Sequence, residues 1–209
     1  KLQEQVDKRL EAINEKVETR LSKGFEDTNK TFTSIIERLA KIDEAQKKIE
    51  TLSKEYKPSE MIIGAGTVLD PETARICILA GAQFLVTPAL RTSVIEVSNR
   101  YSKIICPGAL TPTEVLTAWE AGADFVKIFP CSNMGGASYI KALKGPLPQV
   151  EMIPTGGVNL NTAADFLKAG ASAVAVGSEL IDAQTIKDGN YEVFTERAKQ
   201  YLEAVRKAR

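Results

Sequence analysis

Histidine is absent from all 209 residues. That removes serine–histidine and cysteine–histidine nucleophile systems and every histidine-ligated metal site. Proton transfer must then use carboxylate, lysine, tyrosine, cysteine or water. Cysteine is scarce too. Cys77, Cys106 and Cys131 are odd in number, widely spaced and form no C-x-x-C pair, which argues against a disulfide framework or a zinc site and fits a reducing, cytoplasmic setting. No apolar run approaches the ~20 residues of a membrane span. No secretory signal is evident, although the chain opens at Lys1 without a methionine, so a segment upstream stays open. Excess charge of either sign is also missing, with 27 Lys and Arg against 27 Asp and Glu. No global field therefore argues for nucleic acid or an acidic membrane surface. Hydrophobic residues make up 44%, enough for a sizeable core at the length of one barrel domain or two small domains.

Proline and glycine are missing from one part of the chain only. Residues 1–57 hold no proline and a single glycine, Gly24, with 13 basic and 12 acidic side chains. The remaining 152 residues hold all nine prolines and thirteen glycines. This shift sets the expected boundary, with a helical segment over 1–57 and a second domain over 58–209. In the first part, apolar or small positions recur at Val6, Leu10, Ile13, Val17, Leu21, Phe25, Thr28, Phe32, Ile35, Leu39 and Ile42. Steps of three and four average near the heptad value, with a stutter of consecutive fours from Val17 to Phe25. The expectation is a long helix or coiled coil with mixed charge on its flanks. Alternating acids and bases disfavour a basic membrane helix.

The second part alternates strand and helix. Residues 62–68, 84–88, 104–110, 125–130, 151–158 and 173–180 are short apolar runs that suit buried parallel strands. Asp70-Pro71-Glu72 and Thr111-Pro112-Thr113-Glu114 carry helix-start chemistry, the second with a capping-box glutamate. Ala80-Gly81-Ala82, Ala121-Gly122-Ala123 and Ala169-Gly170-Ala171 each lead into a strand, three copies of one helix-to-strand joint with glycine at the left-handed turn. The fold class is therefore α/β, an incomplete TIM (β/α) barrel of about six units where a closed one needs eight, preceded by a long N-terminal helix.

In such barrels the chemistry gathers at the C-terminal strand ends. Lys127 stands inside the apolar strand Phe125–Pro130. Burial lowers the pKa of an ammonium, and a neutral lysine attacks a ketone to form a Schiff base. A lysine snorkelling from a strand edge is the plainer reading, and apolar neighbours on both sides favour the chemical one. Pro154-Thr155-Gly156-Gly157-Val158 and Val176-Gly177-Ser178 end the last two strands. Their glycines allow backbone N–H groups to approach a phosphate, and ordinary turn glycines are the alternative. Thr67 and Thr155 either donate a hydroxyl to a substrate carboxylate or carbonyl or cap their own turns. Gly135-Gly136 shapes the loop after the lysine strand, and Trp119 and the cysteines read as filler.

In order, Ile62–Val68, Thr87-Pro88, Pro107-Gly108 with Thr111–Glu114, Val126–Pro130, and Pro154–Val158 with Gly177-Ser178 resemble the 2-keto-3-deoxy-6-phosphogluconate / 4-hydroxy-2-oxoglutarate aldolase family over roughly residues 50–209. The resemblance implies a metal-independent, cofactor-free lyase of carbohydrate metabolism of the Entner-Doudoroff type, typically a trimer, acting on a small 2-keto acid. It makes Lys127 the Schiff-base lysine. It puts Thr67, Pro88 and Thr155 on the pyruvate portion, and Gly156, Gly157, Gly177 and Ser178 on the phosphate. The family's first two βα units, with a substrate arginine and a general acid/base glutamate, have no counterpart in this sequence. Ile49–Ser53 resembles the helix after the second of them. Residues 35–50 resemble instead the helical region of the RmuC DNA-recombination proteins. Two alternatives follow: a catalytically impaired chimera or scaffold whose coiled coil mediates association, and another phosphate-binding barrel, a lyase or isomerase without imine chemistry.

Overall fold

Long proline-free sequence gives long helix, and in a computed structural model describing residues 2–208 the first element, α1, runs Leu2–Glu55. Contacts divide the chain after Lys47. The first unit is helix throughout the described residues, its outer face carrying exposed i,i+4 ion pairs such as Glu26–Lys30 and Asp43–Lys47. Such pairs add only tenths of a kcal/mol each. The apolar positions Val6, Leu10, Ile13, Val17 and Leu21 lie outside the residues whose side chains are described.

The second unit alternates strand and helix. Its strands are β1 (Gly64–Ala65), β2 (Phe84–Val86), β3 (Ile104–Cys106), β4 (Gly108–Ala109), β5 (Val126–Ile128) and β6 (Met152–Pro154). Helices α2 (Pro71–Leu79), α3 (Thr92–Arg100), α4 (Pro112–Glu120), α5 (Ala137–Lys144), α6 (Ala163–Lys168), α7 (Ala183–Lys187) and α8 (Glu192–Ala208) follow in sequence. All strand pairings are parallel, β1-β2-β3 in one sheet and β4-β5-β6 in the other, so neighbours in sequence are neighbours in space. Pro107 separates β3 from β4, and its carbonyl accepts from Lys127 N at 2.9 Å, so the two sheets share one line of backbone.

The strands are shorter than the apolar runs suggest. Residues 62–68 pair as strand only at Gly64 and Ala65, because Thr67 turns left-handed (φ 59°). The run 104–110 splits at Pro107, which has no N–H to give the ladder. Residues 173–180 reduce to a parallel bridge between Thr155 and Ala175, and the chain then turns at Gly177, whose carbonyl accepts from Leu180 N and Ile181 N.

Each joint matches its sequence signal. Asp70 accepts from Thr73 N at 2.7 Å with Pro71 at the first helical position. Thr111 and Glu114 form a reciprocal capping box, the Glu114 carboxylate accepting from Thr111 N at 2.8 Å and Leu110 N at 2.9 Å. Those backbone donors hold Glu114 below the usual carboxylate pKa. Thr111→Ala is expected to lower stability by about 1 kcal/mol, measurable as a shifted denaturation midpoint at unchanged slope. Gly81, Gly122 and Gly170, the repeated joint, have φ of 111°, 90° and 103°, a region that glycine enters without penalty.

Strand residues alternate between two faces. Leu85, Ile105, Val126, Ile128 and Met152 are fully buried toward the helices. Val115, Ile140 and Phe166 join the second half of that core, and Val94, Ile95 and Ala74 the first. Ile49, late in α1, is 7% exposed in the first half, and Ser53 Oγ donates to Gly81 O at 3.2 Å.

Candidate active site

The opposite strand face carries Val86, Cys106, Lys127, Ile153 and Thr155. Lys127 alternates with buried Val126 and Ile128, so its side chain leaves the helix-packed core and enters this second face, half-buried. Register puts it beside Gly108 on one side and Ile153 on the other. Its amine lies 4.6 Å from the centroid of the Phe129 ring. Phe129 is two residues on, so period-two alternation returns it to the same face. No carboxylate pairs with Lys127 among the described residues. Burial holds the amine below its ordinary value, opposed by the Cys106 thiol when ionised. Cys106 is itself pushed up to about 11, by burial first and the Asp124 charge second. It is therefore a neutral thiol near pH 7, so its own charge does little to oppose the lowering by burial at Lys127.

A line of hydrogen bonds crosses the strand ends around this amine. Val68 N donates to Val86 O, Thr87 N to Cys106 O, Phe129 N to Ala109 O, Thr155 N to Ile128 O and Ala175 N to Pro154 O, all within 2.9–3.2 Å. Fully buried Thr87 accepts from Gly108 N at 3.1 Å and donates to Ala89 O at 2.5 Å, pinning the Pro88 loop at the mouth. A Cβ on Gly108 would fall 2.4 Å from the Pro88 carbonyl, so only glycine lets that loop close. Thr155 follows β6 two residues beyond Ile153, the register partner of Lys127, with its hydroxyl 3.5 Å from Ile153 O.

Gly156 and Gly157 both have positive φ, 88° and 74°. The turn after β5 is laced to this loop, Cys131 N donating to Thr155 O at 3.0 Å and Ser132 N to Gly156 O at 3.3 Å. The N–H groups of Gly157, Gly177 and Ser178 donate to no other described residue. Ser178 also lines a cleft of about 590 Å³ with Asn159, Glu179, Asp182, Arg197 and Tyr201. Arg197 is committed there to Asp182 at 2.6 Å and to Leu180 O at 3.2 Å.

A half-buried lysine free of carboxylate contact among the described residues, threonines at neighbouring strand ends and a positive-φ glycine loop thus lie at the C-terminal ends of the strands, the end at which barrels of this kind gather their chemistry. The sequence profile described as KDPG and KHG aldolase matches residues 6–196. The chain belongs to the KDPG and KHG aldolase family. It is 40% identical over 145 residues to the 2-dehydro-3-deoxy-6-phosphogalactonate aldolase of Escherichia coli strain K12, covering 69% of this chain and 70% of that protein. A solved structure described as native KDPGal superposes with a TM-score of 0.71 at 37% identity, over 77% of this chain and 75% of that one. A KDPG aldolase from Legionella pneumophila, holding pyruvate captured as a covalent carbinolamine, matches with a TM-score of 0.66 at 30% identity and 72% of each chain. Membership classes the chain as an aldolase. Among the described residues no helix is long and apolar enough to cross a membrane.

Lys127 and Thr155, both singled out from their strand positions, lie on the same face of neighbouring strands. Pro88 and Thr67 occupy strand ends on the other side of the β3–β4 line, and Gly177 and Ser178 follow the last bridge. Cys106 and Phe129 were missed. Both lie on the Lys127 face by alternation, a signal available once the strand register is known.

Proposed function

We propose that the chain is a class I aldolase in which Lys127 forms a Schiff base with the C2 ketone of a 2-keto-3-deoxy-6-phosphogluconate-type or 4-hydroxy-2-oxoglutarate-type substrate. The observation that carries this is Lys127 itself, an amine half-buried between apolar strand residues, without a carboxylate partner among the described residues and lowered in pKa by burial. The neutral amine adds to C2, and loss of water gives the iminium. Deprotonation of the C4 hydroxyl breaks the C3–C4 bond, whose electrons pass into the iminium to give an enamine as the aldehyde leaves. Protonation at C3 and hydrolysis release pyruvate and the amine. The test is borohydride reduction in the presence of pyruvate, followed by peptide mapping. A reduced pyruvyl adduct on Lys127 is expected, and folded protein that gives none overturns the proposal.

Thr67, Pro88 and Thr155 hold the pyruvate portion, and Gly156, Gly157, Gly177 and Ser178 hold the phosphate through backbone N–H groups and the Ser178 hydroxyl. Thr67 supports this by its backbone. A β-branched residue at φ 59° stores on the order of 1–3 kcal/mol of strain, which a merely structural position would shed. Thr67→Gly is expected to keep or raise the melting temperature while slowing pyruvate trapping about tenfold. A faster or unchanged rate would remove Thr67 from the site.

The described strands support an incomplete barrel of six units over 58–209, after a coiled-coil segment over 1–57 that resembles RmuC helices. Pairing runs from β1 to the Ala175 bridge, with none closing the ends among the described residues. The family glutamate has no counterpart in these 209 residues, so their turnover falls ~10²–10⁴ below that of a complete relative while imine formation persists. Steady-state cleavage near a complete relative's rate would refute this. A cytoplasmic, metal-free trimer is the family-like setting. Open strand edges and the exposed helix also favour a second reading, a catalytically impaired scaffold whose coiled coil mediates association.

A further inference from the structure

We infer that residues 25–42 of α1 form a parallel, in-register coiled coil with a second copy of this chain. This deepens the coiled-coil reading above and is independent of the aldolase chemistry. Phe25, Thr28, Phe32, Ile35, Leu39 and Ile42 follow one another at steps of 3, 4, 3, 4 and 3, the a and d positions of a heptad. Phe25 is 69% exposed, Phe32 64%, Ile35 49%, Leu39 59%, and Ile36 on the flank 57%. Together they leave on the order of 500 Å² of apolar surface in water on one helix, at the upper end of what a monomer shows in one patch. The stems of the flanking residues bring that toward the ~800 Å² per partner of a stable interface. The unit that carries the stripe is a single helix over its described residues, with no second element of its own to cover it.

Local chemistry supports self-pairing. The Thr28 hydroxyl donates to Gly24 O at 2.7 Å, so a residue that looks polar in sequence has its hydroxyl satisfied within its own helix. Of the flanking positions Asn29, Thr31, Ile36 and Ala45 carry no charge, and the other two, Arg38 and Asp43, are of opposite sign. The charged residues Glu26, Lys30, Asp43 and Lys47 pair within the helix at 2.7–2.8 Å. Two identical chains therefore meet no like-charge barrier there. The seam also has ends. Gln46 takes the next a position, and Ile49, the next d, is buried in the core of the second unit. On the other side, the stutter of fours through Val17, Leu21 and Phe25 breaks the heptad. Identical helices match a stutter only when parallel and in register, because an antiparallel pair sets it against regular heptads.

Cysteine crosslinking of the full chain tests this. Cys77, Cys106 and Cys131 are buried and leave the background quiet. Thr28→Cys, oxidised with copper–phenanthroline, is expected to run mostly at twice the 22.7 kDa of the chain on a non-reducing gel. Lys30→Cys, on the outer face, stays at single-chain mass. Adding Leu39→Asp to the Thr28→Cys chain cuts crosslinking at least tenfold and leaves pyruvate trapping at Lys127 unchanged, so failure here and failure of the aldolase reading are separable. A Thr28→Cys chain that stays single overturns the proposal, as coverage by another protein or antiparallel pairing would give. Equal crosslinking of the two cysteine variants overturns it as well.

Discussion

Lys127→Ala is expected to reduce borohydride-trapped pyruvyl adduct to background, the largest single-residue effect in the molecule. No other described lysine combines an apolar strand, partial burial and a pKa lowered by that burial. The wild-type chain adds a pH signature. Only the neutral amine attacks, so adduct formation accelerates as pH rises and levels off once the amine is deprotonated. Burial lowers the Lys127 pKa from 10.5, so the midpoint of that rise lies below 10.5. Phe129, whose ring lies 4.6 Å from the amine, opposes the shift, because a ring face favours the ammonium. Phe129→Leu keeps the burial and removes the ring quadrupole. It is expected to move the midpoint further down. A midpoint at or above 10.5 in the wild-type chain would mean that the amine is solvated and the strand environment does not activate it.

The parts of this fold that are local chemistry were legible in the sequence. Helix N-caps, proline at first helical positions and the Ala-Gly-Ala joints are each decided within a few residues, and Asp70, Thr111, Gly81, Gly122 and Gly170 all behave as their neighbours dictate. Strand length was less legible, because it depends on a neighbour. Residues 173–180 are as apolar as the other runs, yet with pairing on the Thr155 side alone they give a single bridge. The site divides the same way. Lys127 announces itself as a charge in an apolar strand. Cys106 and Phe129 become neighbours of the amine only when register sets them on the same face, and the left-handed backbone of Thr67, a residue already singled out in the sequence, appears only in the fold.

Gly157→Ala is expected to separate the two ends of the substrate. The position has φ 74°, and an added Cβ would sit 2.3 Å from Ser132 Cβ and 2.6 Å from its Oγ. Ser132 cannot yield freely, since its N–H is bonded to Gly156 O and the preceding Cys131 N–H to Thr155 O. Strain at that dihedral is on the order of 1–3 kcal/mol, enough to lower the melting temperature by several degrees. The displaced loop also withdraws N–H groups from an anion. A hydrogen bond to a charged group contributes about 1.5–3 kcal/mol, so KM for glyceraldehyde 3-phosphate in the condensation direction rises ~10–100-fold. KM for unphosphorylated glyceraldehyde changes little, and pyruvate trapping at Lys127 stays within about twofold, because the amine lies on β5 and not in the loop. Equal losses for both aldehydes would make the glycine pair a turn device alone and move the anion elsewhere. The cleft beside Ser178 would then be next, although its one arginine is already committed to Asp182.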